Sequence, residues 1–170
     1  MLTIRRAVTA DAASLAEFAE RVFRETFEAD NELINVDIYM AAAYGATQQE
    51  AEIADPSFLT LLAEVDGTMA GFAQLRDGMV PPCVEGVRPI ELLRFYVDPA
   101  LHGHGIAQAM LENVYAEARK RGAHTLWLGV WERNERAKAF YCKCGFVDVG
   151  SHIFVLGTDP QTDRLMVREL

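Results

Sequence analysis

The stretch from Glu91 to Ala107, E-L-L-R-F-Y-V-D-P-A-L-H-G-H-G-I-A, sets the tightest limit on what this chain can fold into. Leu92, Leu93, Phe95, Tyr96 and Val97 form a short apolar run rich in aromatic and branched side chains, the pattern of a buried strand. Asp98-Pro99 ends it, because proline has no amide to continue a ladder. Gly103 and Gly105 then lead into a run of Ala, Met, Leu and Glu, all strong helix formers. The first turn of a helix presents amides with no partner inside the helix, at its positive end, and glycines ahead of it clear side chains from their path. Strand, glycine loop and helix start, in that order, predict an anion site of the kind that holds phosphate. No Gly-Lys-Ser/Thr follows, and Ala107 stands two residues after Gly105 rather than three. Neither the Walker loop nor the dinucleotide fingerprint is therefore present.

With 170 residues the chain suits one domain with a sizeable core, and no internal repeat divides it. A net charge of -9 argues against nucleic-acid binding and favours cationic partners or plain solubility. The N-terminus lacks the apolar core of a signal sequence, and no run approaches the roughly 20 apolar residues that span a bilayer. A cytoplasmic protein with no membrane partner is expected. Cys83, Cys142 and Cys144 cannot all pair within one chain and lack zinc-ligand spacing, so reduced thiols and no metal are expected.

Along the chain, Leu2–Ala7 reads as an edge strand, and Thr9 or Asp11 as the cap of a helix from Ala12 to Glu28. That helix carries Leu15, Phe18, Ala19, Val22 and Phe23 on one stripe. A helical region interrupted near Gly45 covers Val36–Ala54. Ser57–Val65 and Met69–Leu75 form a hairpin at Asp66-Gly67, and a proline-rich loop precedes the central strand. Ile106–Arg121 is helical with Gly122 as its C-cap, His124–Val130 is a buried strand, and Asn134 opens a short helix closed by Gly145. Phe146–Leu156 and Arg164–Arg168 read as a last strand pair. Strands and helices alternating in this way predict a single α/β domain with a mixed sheet.

On the helix after Asn134, Asn134, Ala137 and Tyr141 share one face. By themselves Asn134 reads equally as an N-cap and Tyr141 as core. Taken together, H-G-H-G-I-A and N-E-R-A-K-A-F-Y-C-K-C-G-F resemble the GNAT superfamily of N-acetyltransferases. Its loop pattern Gln/Arg-x-x-Gly-x-Gly/Ala is met at Gly105 and Ala107, with His102 in place of Gln or Arg. Its Asn-x-x-Ala-x-x-x-Tyr-x-x-x-Gly-Phe pattern is met at Asn134, Ala137, Tyr141, Gly145 and Phe146. W-L-G-V-W-E-R-N-E-R-A-K-A-F-Y, G-F-V-D-V-G-S-H-I-F-V-L-G-T-D-P-Q-T-D-R-L-M and T-F-E at Thr26–Glu28 are similar to the bacterial spermidine/spermine acetyltransferases of the PaiA type.

The resemblance implies a single-domain GNAT fold, 1–170, with a mixed and mostly antiparallel central sheet flanked by helices. It implies direct acetyl transfer from acetyl-CoA to a primary amine, a polyamine such as spermidine or spermine, with no metal. Phe95, Tyr96 and Val97 would hold the acetyl and pantetheine groups through their backbone. The amides of His102, Gly103, His104, Gly105, Ile106 and Ala107 would hold the pyrophosphate. Asn134, beside Ala137, would touch the pantetheine arm, and Tyr141 would be the general acid. Glu91 is the candidate base, since histone-type relatives carry a glutamate base at the corresponding point of this strand and alternation puts Glu91 on the face of Phe95 and Val97. It reads equally as a solvated carboxylate, while a water chain, His152 or Glu85 are further candidates. Glu25, Glu28, Asp30 and Glu32 cluster where the superfamily borders its acceptor groove, and read either as a polycation site or as a solvated helix end. Trp127 and Trp131 read as core and rim packing. A peptide or other small amine as acceptor, a non-catalytic acetyl-CoA-binding regulator, and a homodimer remain open alternatives.

Overall fold

The computed structural model describes residues 1–170. In chain order the elements are β1 (Leu2–Arg6), α1 (Ala12–Phe27), α2 (Leu33–Ala43), α3 (Ala46–Ala54), β2 (Phe58–Val65), β3 (Thr68–Arg76) and β4 (Pro89–Val97). They continue with α4 (Ile106–Lys120), β5 (Thr125–Trp131), α5 (Glu135–Lys143), β6 (Val147–Leu156) and β7 (Asp159–Glu169). The strands form one seven-stranded sheet in the order β1-β2-β3-β4-β5-β7-β6. Only β4 and β5 run parallel, so the sheet is mixed and mostly antiparallel as expected.

Helices cover both faces. Leu15, Phe18, Ala19, Val22 and Phe23 of α1 are all buried, and with Val36, Met40, Leu62 and Phe72 they build one core. Met110, Leu111, Val114 and Tyr115 of α4 build the other against Leu75, Leu92, Leu126 and Leu128, with Tyr141 and Phe146 at its end. Each large side chain removed from water in this way contributes about 1.5–3 kcal/mol before conformational entropy is set against it. No helix is long and apolar enough to cross a membrane.

Three local expectations change. Asp11 does precede α1, but its carboxylate binds the Val8 amide at 2.8 Å and the Arg5 guanidinium at 2.8 and 2.9 Å instead of capping the helix. The helix α2 starts at Leu33 rather than Val36, because Leu33 and Ile34 lie on its exposed side and break the apolar period. The last strand starts at Asp159 rather than Arg164, its polar D-P-Q-T-D segment being held by pairing with β6 rather than by burial.

Two irregularities in β4 make the site. Its parallel pairing with β5 covers only Pro89–Thr125, Ile90–Leu126 and Glu91–Trp127, although β4 continues to Val97 and β5 to Trp131. Beyond Glu91 the two strands part. The β3–β4 ladder also slips between Gln74 and Leu75, so that Arg94 pairs with Gln74 and Leu92 with Leu75, and Leu93 has no partner. Such a bulge reverses alternation beyond it. Phe95, opposite Ala73, therefore packs on the α4 side with Leu92, while Glu91 and Arg94, opposite Arg76 and Gln74, share the α1–α3 side. The expectation that Glu91 shares a face with Phe95 and Val97 fails for this reason.

Candidate active site

Two cavities meet where β4 and β5 part. The larger, about 590 Å³, is lined by Phe95, Tyr96, Val97, His102, Gly103, Gly105, Ile106 and Ala107 on one side and by Asn134, Arg136, Ala137, Phe140 and Tyr141 of α5 on the other. The smaller, about 150 Å³, lies between α1, α2, β5, β6 and β7, with Phe27, Tyr39, Trp131 and Phe154 among its walls. Phe27, Phe95, Tyr96, Asn134, Ala137 and Tyr141 line both. Reagents held one in each cavity would meet at this shared wall.

In the larger cavity the loop before α4 has the form that an anion requires. Gly103 at φ +85° and Gly105 at φ +79° are left-handed, and a Cβ at either would meet nothing within 4 Å. Glycine is needed there for the backbone angle, not for space. Gly105 is the residue before α4 and has no side chain to cap it, so the first-turn amides of Ile106 and Ala107 stay open toward the cavity. Arg136, exposed on α5, adds a cation at the rim that the motif reading missed, although it lies within the N-E-R-A run. His102 lines the cavity, and its Nε2 donates to the Val97 carbonyl at 2.9 Å. The His104 ring is exposed, lies outside the cavity lining, and bonds the Leu101 and His102 carbonyls at 3.2 Å each.

Asn134 is the N-cap of α5, its Oδ1 accepting from the Ala137 amide at 3.1 Å. Asn134 also lines both cavities, so the cap and the lining residue are one and the same. Tyr141 is 7% exposed and packs edge-on against Phe95, Phe140 and Phe146. Burial holds its phenol well above the ordinary value, and it remains a proton donor at neutral pH.

Glu91 lines neither cavity. It is 8% exposed and accepts from Arg76 Nε at 2.8 Å. Burial raises its carboxyl and Arg76 offsets part of that rise. The only carboxylate on the smaller cavity is Asp163, one residue before the last strand as read from the sequence. Burial raises the Asp163 carboxyl, and His152, 3.7 Å away, opposes the rise. Two of the four acidic residues in the cluster are committed elsewhere. Glu25 binds Arg21, which also holds Asp98, and Glu28 binds Arg24, which also holds Glu20 and Asp37. Asp30 and Glu32 stay exposed on either side of Asn31, which lines the smaller cavity. Trp127 is core against Val84 and Leu165, and Trp131 stands at the rim, 6.0 Å from Phe27.

Comparison with known proteins agrees with this geometry. The profile of the acetyltransferase (GNAT) family matches residues 16–146. An uncharacterized N-acetyltransferase of Mycobacterium tuberculosis is 34% identical over 160 residues, covering 94% of this chain and 98% of that protein. One from Lactobacillus delbrueckii subsp. lactis is 31% identical over 160 residues, covering 94% and 92%. Among solved structures, the PaiA N-acetyltransferase of Thermoplasma acidophilum in complex with coenzyme A superposes with a TM-score of 0.82, at 22% identity, over 100% of this chain and 99% of that one.

Proposed function

The chain belongs to the acetyltransferase (GNAT) family and is an acetyl-CoA-dependent N-acetyltransferase; within that family we propose that its acceptor is a primary amine at the end of an aliphatic chain, with spermidine and spermine as the leading examples. The observation that carries this reading is the shared wall. A loop suited to phosphate serves one cavity, an aromatic chamber with one carboxylate forms the other, and Tyr141 stands between them. Aromatic faces and a carboxylate together favour an alkylammonium ion. The similarity of the C-terminal half to PaiA-type enzymes and the net charge of -9 support a polycation.

Acetyl-CoA, when bound, supplies an acetyl group activated as a thioester. The His102 amide is held by the Pro99 carbonyl at 3.3 Å, so the open amides from Gly103 through Ala107, with Arg136 beside them, receive its pyrophosphate, and the unpaired β5-side edge of Phe95–Val97 receives the pantetheine arm. The amine nitrogen attacks the thioester carbon, forming a C–N bond as the C–S bond breaks. Tyr141 gives its proton to the departing sulfur. The amine enters as an ammonium ion and gives up two protons. One returns to Tyr141 and one leaves for solvent, so the products are amide, thiol and a free proton.

Thiol release with acetyl-CoA and a panel of spermidine, spermine, lysine peptides and simple amines tests the acceptor. Selective turnover of the polyamines is expected. Preference for lysine peptides would replace that acceptor, and tight acetyl-CoA binding with no turnover on any amine would support a regulator instead.

Gly105→Ala tests the loop. Holding a Cβ at φ +79° costs the fold about 1–2 kcal/mol. If the loop relaxes to escape that strain, acetyl-CoA affinity falls by about tenfold instead. Thermal melts and calorimetry together are expected to recover the whole loss, and an unchanged melt with unchanged affinity would remove the loop from the site.

A further inference from the structure

We propose that Asp163 is the residue that receives the acceptor's ammonium group and takes its first proton, and that His152 passes this proton to solvent; the assignment rests on the amine-acetylation reading above. Asp163 sits on β7 directly across from Trp131 of β5 and His152 of β6. It is the sole carboxylate lining the acceptor chamber, and the one other charged side chain there, Arg94, is already bonded to buried Glu52. An ammonium ion entering between Tyr39, Phe154 and Trp131 finds aromatic faces and one counter-ion.

The route outward is built into the sheet. His152 Nε2 lies 3.7 Å from Asp163 Oδ2, and its side chain is 38% exposed where that of Asp163 is 14%. One group faces the chamber and the other faces water. Gly129 on β5 leaves the space in which they meet. A Cβ there would stand 3.2 Å from Asp163 Oδ2 and 3.3 Å from His152 Nε2. Glu91, the base expected from the strand pattern, is held by Arg76 and lines neither cavity.

The proton balance follows. Asp163 takes the first ammonium proton, freeing the nitrogen lone pair for attack, and hands it through His152 to water. The second proton leaves the nitrogen as the amide forms and restores Tyr141. Groups facing Asp163 are His152 from β6, Tyr39 from α2 and Arg94 from β4, and His152 also lowers the Glu91 carboxyl of β4 against its burial. The segments of α1 and β5 that line the chamber bring no titratable side chain.

The test measures amine turnover against pH, with acetyl-CoA binding followed separately by calorimetry. Asp163→Asn is expected to lower kcat/KM for the amine about a hundredfold near neutral pH, with coenzyme affinity unchanged. The loss is expected to shrink at alkaline pH, where the amine arrives neutral. His152→Gln, half-exposed and safe for folding, is expected to lower kcat about tenfold and leave KM near its original value. Wild-type turnover with an Asp163→Asn variant of equal rate, or loss of turnover on Glu91→Gln while Asp163→Asn stays active, would overturn the assignment alone. Coenzyme binding without amine turnover in the wild type would instead overturn the acetylation reading on which it rests.

Discussion

Tyr141→Phe is expected to lower kcat by roughly a hundredfold to ten-thousandfold while acetyl-CoA affinity stays within about twofold. The change removes one oxygen and keeps the ring that packs between Phe95, Phe140 and Phe146, so the melting temperature should hold. What is lost is a proton for the leaving sulfur, which matters only as the C–S bond breaks. An effect made only in the transition state lowers kcat and kcat/KM alike. Burial keeps the phenol protonated well beyond its ordinary range, so ionisation of Tyr141 should leave no limb in the wild-type pH profile around neutrality. Single-turnover mixing with bound acetyl-CoA measures the step directly. A variant that turns over at the wild-type rate would remove Tyr141 from the chemistry and leave it as packing.

Much of this site is readable in the chain because it is local. The Gly103–Ala107 loop and the Asn134–Tyr141 face each depend on residues a few positions apart, and short-range backbone geometry fixes both. The acceptor chamber is different. Asp163 reaches it only because β7 inserts between β5 and β6, a pairing that no local pattern encodes. Its strand also begins in D-P-Q-T-D, whose polar residues hide it from an apolar period. The misjudged face of Glu91 has one cause. A one-residue bulge at Leu93 reverses which side chains share a face, and alternation counted along the sequence passes straight through it. Arg136 was legible in principle, as an unpaired cation within a recognised run. The acidic residues of α1 and its turn were visible, but that two of them are already paired was not, since the arginines that occupy Glu25 and Glu28 lie on the same helix one turn before each.

Glu52→Ala is expected to destabilise the fold by about 3–5 kcal/mol, because it strands a buried guanidinium. Glu52 and Arg94 are 5% and 9% exposed and bond to each other beneath the acceptor chamber. Glu52 also accepts from Gln74 at 2.9 Å and Gln48 at 2.9 Å, and Gln74 reaches Thr60 at 3.2 Å. Burial pushes the Glu52 carboxyl up, but the Arg94 hydrogen bond and charge outweigh it, and the net shift is downward from 4.5. A carboxylate with a lowered folded-state pKa stabilises fully above its unfolded value, and that share is lost as pH falls through the folded value. The stability difference between wild type and Glu52→Gln should therefore be constant near neutral pH and narrow below the ordinary carboxylate range. Denaturant melts at several pH values measure it, and a difference independent of pH down to strong acid would refute the ion-pair account. The same pair governs function. Arg94 lies over Tyr44 at 4.9 Å and lines the chamber, so losing Glu52 leaves an unbalanced positive charge facing the site. In Glu52→Gln, the KM for the amine should rise while acetyl-CoA affinity stays the same. Like charges repel across a low-dielectric chamber, whereas the coenzyme cavity lies beyond the shared wall.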